Sequence, residues 1–415
     1  MTDVRPSPSP AGPGEVLPAA GGRPPGRPGG LPVVVPVLAV GTFLMATTEF
    51  VIAGLLPELA ADLDVSVSRA GLMITVFALG MIIGTPTMAL LTRRLPARVT
   101  LLLALGIFAV GHVVVALCSS LPLLLAARFV TAWATGTFWS LASVVAARAA
   151  GPGSASRALG LVGAGGMLAN VVGVPLGAVA GQLSGWRGPF WALAALALAA
   201  TALIARHVPH DGPDRQPVPL RSELAALRSG RLWLALAACA TTCGGVMSTF
   251  SYVSPLLTDV AGVTGGLVPL VLVGFGIGAL IGSVVGGRLG DAHPHATTVV
   301  VAGSTAVVLL ALCLLSAHAV PTVALIALLG LVGLSANPVL ISLAARSAGA
   351  GGALATALTV SAFNSGTALG TWLAGGALDS GLGVTGPAVV GTVLAGLTLA
   401  PTLTLAVLAR RRPAR

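Results

Sequence analysis

The sequence predicts an all-α membrane protein whose twelve transmembrane helices form two pseudo-symmetric halves of six. Three observations predict it: an apolar composition, apolar runs of membrane-crossing length, and an internal repeat. The 415 residues are 55% hydrophobic and only 8% charged, with a mean hydropathy of +0.98. That is too apolar and too poor in charge to cover a soluble surface. About 20 apolar residues cross the hydrocarbon core as a helix. Runs of that length occupy 32–54, 70–91, 99–118, 121–146, 158–181, 189–205, 232–256, 266–287, 297–316, 319–343, 353–377 and 386–409.

The polar stretches between the runs divide the chain. Residues 1–31 are rich in Pro, Gly and Arg and too poor in apolar side chains to pack, which predicts a disordered tail. No short apolar segment with a cleavage site precedes the first run, so the tail does not read as a signal peptide. The halves are 32–205 and 232–409, joined by a polar loop at 206–231 and followed by a short tail at 410–415. Every basic residue is Arg, and nineteen of the 22 fall on one side of the predicted spans, against Arg69 and Arg187 on the other and Arg128 within a span. Cationic loops stay in the cytoplasm, so both termini and the central loop are expected there. The Arg-, Ala-, Gly- and Leu-rich composition suggests a GC-rich bacterial genome, which places the chain in a bacterial inner membrane.

The net charge of +10 does not indicate a nucleic-acid partner. The arginines flank spans, without interleaved aromatics or a soluble domain to carry a groove. Cys239 and Cys243 are four apart, which is neither a CxxC redox pair nor a zinc spacing. Of the six His, only His112 falls well inside a span, and sequence spacing assembles no metal cluster.

The repeat is read from two pairs of segments. At an offset of 198 residues, "GTPTMALLTRRLPARVT" from Gly84 meets "GSVVGGRLGDAHPHATT" from Gly282, aligning Gly84 with Gly282, Leu91 with Leu289, Pro96 with Pro294 and Thr100 with Thr298. "LLPELA" from Leu55, closing the first run, likewise matches "LLTDVA" from Leu256, closing the seventh. Two similar six-helix halves form a transporter layout, in which the halves rock about a site at the midplane.

Several motifs extend this reading to a family. "GRLGD" from Gly287 to Asp291 resembles the loop between the second and third helices of the major facilitator superfamily, and the likeness spans roughly residues 32–409. The first-half counterpart, "LLTRRLPAR", departs from that pattern: Arg93 stands where the acid is usual and Pro96 where a glycine is usual, followed by Arg94 and Arg98. In the fifth run, Gly166, Gly173, Pro175 and Gly177 resemble the glycine-proline signature of proton-coupled exporters. Such glycines let a neighbouring helix approach closely, and Pro175 permits a kink. Ordinary close packing is the competing reading. "AARFVTAWATG" places Arg128 at the family's intramembrane arginine, while "TEFVIAGLLP", "GVPLG" and "GWR" resemble the drug:proton antiporter branch that includes arabinose-type and chloramphenicol exporters. The resemblance implies a monomer driven by the proton gradient, with no bound cofactor, whose partners are a small-molecule drug, protons and the lipid bilayer.

Glu49 and Arg128 are the two formally charged side chains within the predicted spans. Charges at membrane depth cost several kcal/mol and mark functional sites by default. Burial disfavours a charged carboxyl group and a nearby guanidinium favours it. Glu49 could therefore load a proton from one side and lose it when drug arrives from the other. Two other readings stay open: a Glu49–Arg128 ion pair that merely ties helices together, and a Glu49 wetted at the outer interface. The repeat equivalent of Glu49 is Phe250, so a single-proton device is the simplest expectation.

Candidate cavity residues are Phe43, Met45, Asn170, Met247, Tyr252, Asn337, Phe363 and Asn364. Aromatic faces with a few amide or hydroxyl groups suit a small neutral or amphipathic ligand, chloramphenicol foremost, better than a polyanion. A sugar or metabolite transporter would have more polar central helices. A membrane enzyme would need a nucleophile with its base, or paired acids, at depth. A channel has no need of a lone titratable group in an alternating fold.

Overall fold

The structure, a computed structural model, describes residues 31–91, 95–151, 154–208, 227–348 and 352–410; for 86, 88–91, 352, 353, 356 and 357 it describes the backbone only. The predicted tails, most of the central loop, Arg93 and Arg94 lie outside the described residues.

Twelve long helices account for the described chain, which contains no strand. They are α1 (Val34–Gly54), α2 (Val67–Leu91), α3 (Ala97–Leu117), α4 (Leu121–Ala150), α5 (Ala155–Ser184) and α6 (Gly188–His207), then α7 (Gly230–Phe250), α8 (Val268–Ala292), α9 (Pro294–Leu315), α10 (Ala319–Ala348), α11 (Gly352–Leu378) and α12 (Gly386–Arg410). Each falls on one of the predicted apolar runs. Only a helix satisfies every backbone group within its own segment, which is why apolar runs of this length fold this way in lipid.

The interior of several runs differs from the expectation of plain helices. The run predicted at 232–256 stops as an α-helix at Phe250; a short helix, Val253–Pro255, and a π-turn, Leu256–Val260, follow. Its repeat mate α1 breaks at the same place, leaving α-geometry at Phe50 for a 3₁₀ turn over Val51–Gly54. α10 is two pieces, Ala319–Gly333 and Asn337–Ala348, because Pro338 has no N–H to carry the ladder across Leu334. In α5 the expected kink takes the form of a π-turn over Ala169–Gly173, ending two residues before Pro175. The wider turn makes room for the proline ring and the bond it cannot donate.

The helix pairing carries the repeat into three dimensions. The two halves meet through α2 against α11 and α5 against α8. Since α8 repeats α2 and α11 repeats α5, each contact is the image of the other. Glycine makes the α5–α8 contact possible: the Asn170 backbone lies where a Cβ on Gly276 would sit. Gly173 does the same for α1, with the Thr47 side chain in the space a Cβ would need.

Hydroxyl groups inside the bundle mostly turn back on their own helix. Thr47 donates to the Phe43 carbonyl at 2.8 Å, Thr131 to Ala127 at 2.7 Å, Thr135 to Thr131 at 2.9 Å and Thr402 to Thr398 at 2.8 Å. Three hydrogen bonds cross between the halves among the described residues: Ser68 to Asp379, Thr75 with Thr371, and Gln182 to the Gly265 carbonyl. The first and third join helix ends at the arginine-poor end of the bundle, and the second lies two turns deeper.

At that same end, Arg187 donates to the Asp62 carboxylate at 2.6 Å, stacks on Trp186 at 4.3 Å and reaches the Ser119 hydroxyl at 3.0 Å. The Arg187 hydrogen bond holds the Asp62 carboxyl below the usual carboxylate range. A depressed carboxyl stabilises the fold above its unfolded pKa, and the contribution disappears as pH falls through the lower folded value. Asp62→Asn should therefore cost ~0.2–1 kcal/mol at neutral pH, the range of exposed pairs. In detergent melts the deficit should persist at pH 5 and fade below the unfolded carboxylate value of about 4; a deficit that grows on acidification would contradict this assignment.

Candidate functional site

Four helices converge on one buried guanidinium. Arg128, 1% exposed, sits two turns into α4. One of its terminal nitrogens donates to the Thr48 hydroxyl at 2.8 Å and the other to the Thr48 carbonyl at 3.0 Å, both on α1. Its flat face covers the Phe77 ring on α2, with 4.1 Å between the guanidinium carbon and the ring centroid. Cation–π contact of this kind offsets part of the loss of water. On α3, His112 places Nε2 at 2.7 Å from the Thr48 hydroxyl and Nδ1 at 2.7 Å from the Phe108 carbonyl, and its ring stacks on Phe108 at 4.0 Å. The Arg128 Nε has no hydrogen-bond partner.

Glu49 is the next residue along α1, half-buried, and it makes no hydrogen bond and no ion pair among the described residues. The expected alternative of a Glu49–Arg128 ion pair is therefore not formed: no nitrogen–oxygen distance between them falls within 4.0 Å. The two remain within electrostatic reach, and the Glu49 charge also reaches Cys243 on α7. Glu49 is about 8 Å along the helix from the Gly54 end, at 1.5 Å per residue. An unpaired carboxylate thus lies between the two halves with a fully buried cation beside it.

Directly beyond Glu49 the halves close on each other. Phe50 meets the edge of Phe250, with ring centroids 6.4 Å apart, and Phe250 stacks on Phe275 at 4.1 Å. Around them an apolar cluster draws Ala53, Val174 and Ala178 from the first half together with Leu256, Leu272 and Met247 from the second. Tyr252, 2% exposed, enters a slot between Gly71 and Gly375 and donates its hydroxyl to the Thr371 carbonyl at 3.2 Å. Above it, Ser68 donates to Asp379 at 2.5 Å, walling a pocket of about 400 Å³ together with Arg69 and Trp372. The larger groove, about 730 Å³, is a different feature: it lies between α3 and α4, lined by Val99, Leu103, Val110 and Val130 without a charged side chain.

The structure separates the other sequence candidates. Met45 is fully buried in the core of the first half, with its sulfur 3.3 Å from the Thr135 hydroxyl oxygen, so it packs helices rather than facing a cavity. Met247 and Tyr252 belong to the closure just described, not to an open lining. Phe43 and Phe363 stay partly exposed at the edges of separate clusters. Asn170 occupies the π-turn of α5 and is partly exposed, while Asn337 and Asn364 each keep an unpartnered, buried Oδ1. Of the motif residues, Gly166 and Gly177 lie against Trp139 and Val51, Pro96 starts α3, and Arg98 donates to the Ala205 carbonyl. A Cβ on Gly287 would only just touch Pro338, and Asp291 is exposed in the last turn of α8. Sequence reasoning missed Thr48 and Phe77 as ligands of Arg128, and left His112 as merely embedded.

A sequence model described as Major Facilitator Superfamily matches residues 38–370. Among curated proteins, the chain is 35% identical over 361 residues to a "Chloramphenicol resistance protein" of Streptomyces lividans, covering 86% of this chain and 92% of that one. It is 34% identical over 347 residues to "Uncharacterized MFS-type transporter YtbD" of Bacillus subtilis (strain 168), covering 83% and 88%. Over 376 residues it is 31% identical to "Inner membrane transport protein YdhP" of Escherichia coli (strain K12), covering 91% and 96%.

The slot around Tyr252 gives a direct test of the closure. A Cβ at Gly71 would overlap the Tyr252 hydroxyl, so Gly71→Ala should wedge α2 from α11. A thiol placed at the fully buried Ala374 should then react with a hydrophilic maleimide about tenfold faster, the equivalent of ~1.4 kcal/mol of closure lost. Adding Tyr252→Leu to the same chain should slow the reaction again, because contacting residues couple; unchanged rates in both would show that the slot does not hold the closure.

Proposed function

The chain belongs to the major facilitator superfamily, and within that family we propose that it couples proton entry to the expulsion of a small neutral or amphipathic drug, chloramphenicol foremost. It is a multi-pass membrane transporter with a small-molecule substrate, not an enzyme. The observation that carries the proposal is Glu49, an unpaired carboxylate on the inter-half face of α1 beside a buried Arg128 that is bound elsewhere. The printed name of the Streptomyces lividans relative supports the choice of drug.

The arginine-rich end is assigned to the cytoplasm of a bacterial inner membrane, which makes the Phe50–Phe250 and Tyr252 end the outer one. In this arrangement the outer end is shut. Drug enters from the cytoplasm and the halves rock, after which Glu49 meets outer water and takes a proton as drug leaves. A protonated, neutral Glu49 can return through the closed state, whereas an anion would have to be desolvated to do so. Release of the proton inward resets the cycle. The unpartnered amide oxygens of Asn337 and Asn364 are acceptors that a hydroxyl- or amide-bearing ligand could satisfy, and Phe43 and Phe363 offer aromatic faces. The transporter is taken to work as a monomer.

Expression in a sensitive bacterial host should lower chloramphenicol accumulation, and both Glu49→Gln and a protonophore should abolish the effect. With one proton entering per neutral drug expelled, a potential of 100 mV supplies about 2.3 kcal/mol, enough for a ~40-fold drug gradient. In inverted vesicles without a pH gradient, the potential alone should therefore drive chloramphenicol movement. Export that survives Glu49→Gln under a proton gradient would remove Glu49 as the coupling group; accumulation unaffected by the intact protein would remove chloramphenicol as the substrate.

A further inference from the structure

We propose that His112, acting through the Thr48 hydroxyl, is the positioning residue that holds Arg128 away from Glu49 and ties the state of Glu49 to the outer closure. The inference rests on the proton-coupling reading of Glu49 and goes beyond it by naming the competitor for Arg128.

The direction of each hydrogen bond follows from its neighbours. The Phe108 carbonyl can only accept, so His112 Nδ1 carries the hydrogen, and in the neutral imidazole Nε2 then presents a lone pair. Nε2 accepts, so the Thr48 hydroxyl donates to it. That leaves the Thr48 oxygen lone pairs free for the Arg128 N–H that approaches at 2.8 Å. The chain runs one way, from Arg128 to Thr48 to His112, and His112 to Phe108. Buried hydrogen-bond chains polarise in the same sense and strengthen one another. Without the imidazole the threonine hydroxyl could turn back on its own helix, as Thr47 and Thr131 do, but its orientation toward Arg128 would no longer be fixed.

Geometry then links this relay to the closure. Thr48, Glu49 and Phe50 are consecutive on α1. Thr48 holds Arg128, Glu49 has no partner, and Phe50 meets Phe250 across the halves. The unpartnered Nε shows that the hydrogen-bonding capacity of Arg128 is not exhausted by Thr48. An ionised Glu49 competes for that guanidinium; a protonated Glu49 leaves it on Thr48. Each move changes how the end of α1 is anchored to α4, one residue from the aromatic contact that shuts the outer end. No proton passes through His112 in this scheme: it orients an acceptor. Among the described residues, the titratable groups here are Glu49 on α1, which lies within electrostatic reach of Arg128 on α4 and Cys243 on α7, and His112 on α3, which lies within reach of Arg128.

The test needs no substrate. Fluorophores at exposed Asp64 and Thr264, one on each half at the outer end, report opening of the full-length protein in liposomes as external pH is varied. The intact protein should open and close with pH, and Glu49→Gln should not. Thr48→Val keeps the side-chain shape but removes the hydroxyl, and His112→Leu removes the acceptor. Each should cut the amplitude of the pH response about fivefold or more, a ~1 kcal/mol loss of coupling. Thr48→Ser, which restores the hydroxyl, should recover it, and melting temperatures within a few degrees of the intact protein would confirm folded variants. A full response in Thr48→Val, or a Thr48→Ser as impaired as Thr48→Val, overturns the proposal, since packing rather than the hydroxyl would then matter. A response that persists in Glu49→Gln overturns the reading of Glu49 and the proposal with it, whereas a full response in Thr48→Val with Glu49→Gln silent overturns the proposal alone. An intact protein with no pH response overturns both.

Discussion

A guanidinium in hydrocarbon has to be solvated by protein, and the first half of this molecule is arranged around that requirement. Removing one partner from a buried charge costs several kcal/mol because the charge remains. Arg128 therefore fixes more than itself. Thr48 brings α1, Phe77 brings α2 and His112, through Thr48, brings α3, all to one point on α4. Four helices are set in register by a single buried side chain. The neighbouring residue on α1, Thr47, faces Gly173 on α5.

Among the described residues the second half has no such centre. Where the repeat would place a counterpart of Glu49 it has Phe250, stacked on Phe275 and surrounded by aliphatic side chains. The two halves thus share a fold but divide the physics. The first contains the charged, hydrogen-bonded apparatus, and just beyond Glu49 the second meets it with an apolar cluster. The Phe50–Phe250 edge contact is where these meet.

The fold was legible in the sequence because length and composition alone decide which segments cross a bilayer. All twelve apolar runs correspond to helices, and the Leu55 and Leu256 segments used to find the repeat both lie just past a point where an α-helix breaks. Glu49 and Arg128 were legible for the same reason: charge is rare at depth. Side-chain direction was not. Helices that are apolar all round have little amphipathic pattern to say which face looks where, so Met45, chosen for a cavity, packs in a core, and Tyr252 serves as a wedge in the closure. Thr48, Phe77 and His112 lie on three different helices, and nothing periodic within one helix reveals a meeting among three. The one available signal was that His112 alone among the histidines sits deep in a span, where an imidazole must find two partners.

The inward-turned threonines bear on how such a molecule can be driven. A hydroxyl bonded to its own helix is satisfied whichever neighbour slides past, so few polar bonds need to break when the halves rearrange; three join them among the described residues. The difference in free energy between arrangements is then set by apolar contact and by a handful of directional bonds. Inverting a population from 1:99 to 99:1 takes about 5.5 kcal/mol of differential binding. Under the proposed coupling, a proton moving through a membrane potential and a pH gradient, together with one bound small molecule, would supply energy on that scale. The bundle is in this sense lubricated: its polar groups are sequestered so that modest chemical inputs decide which way it faces.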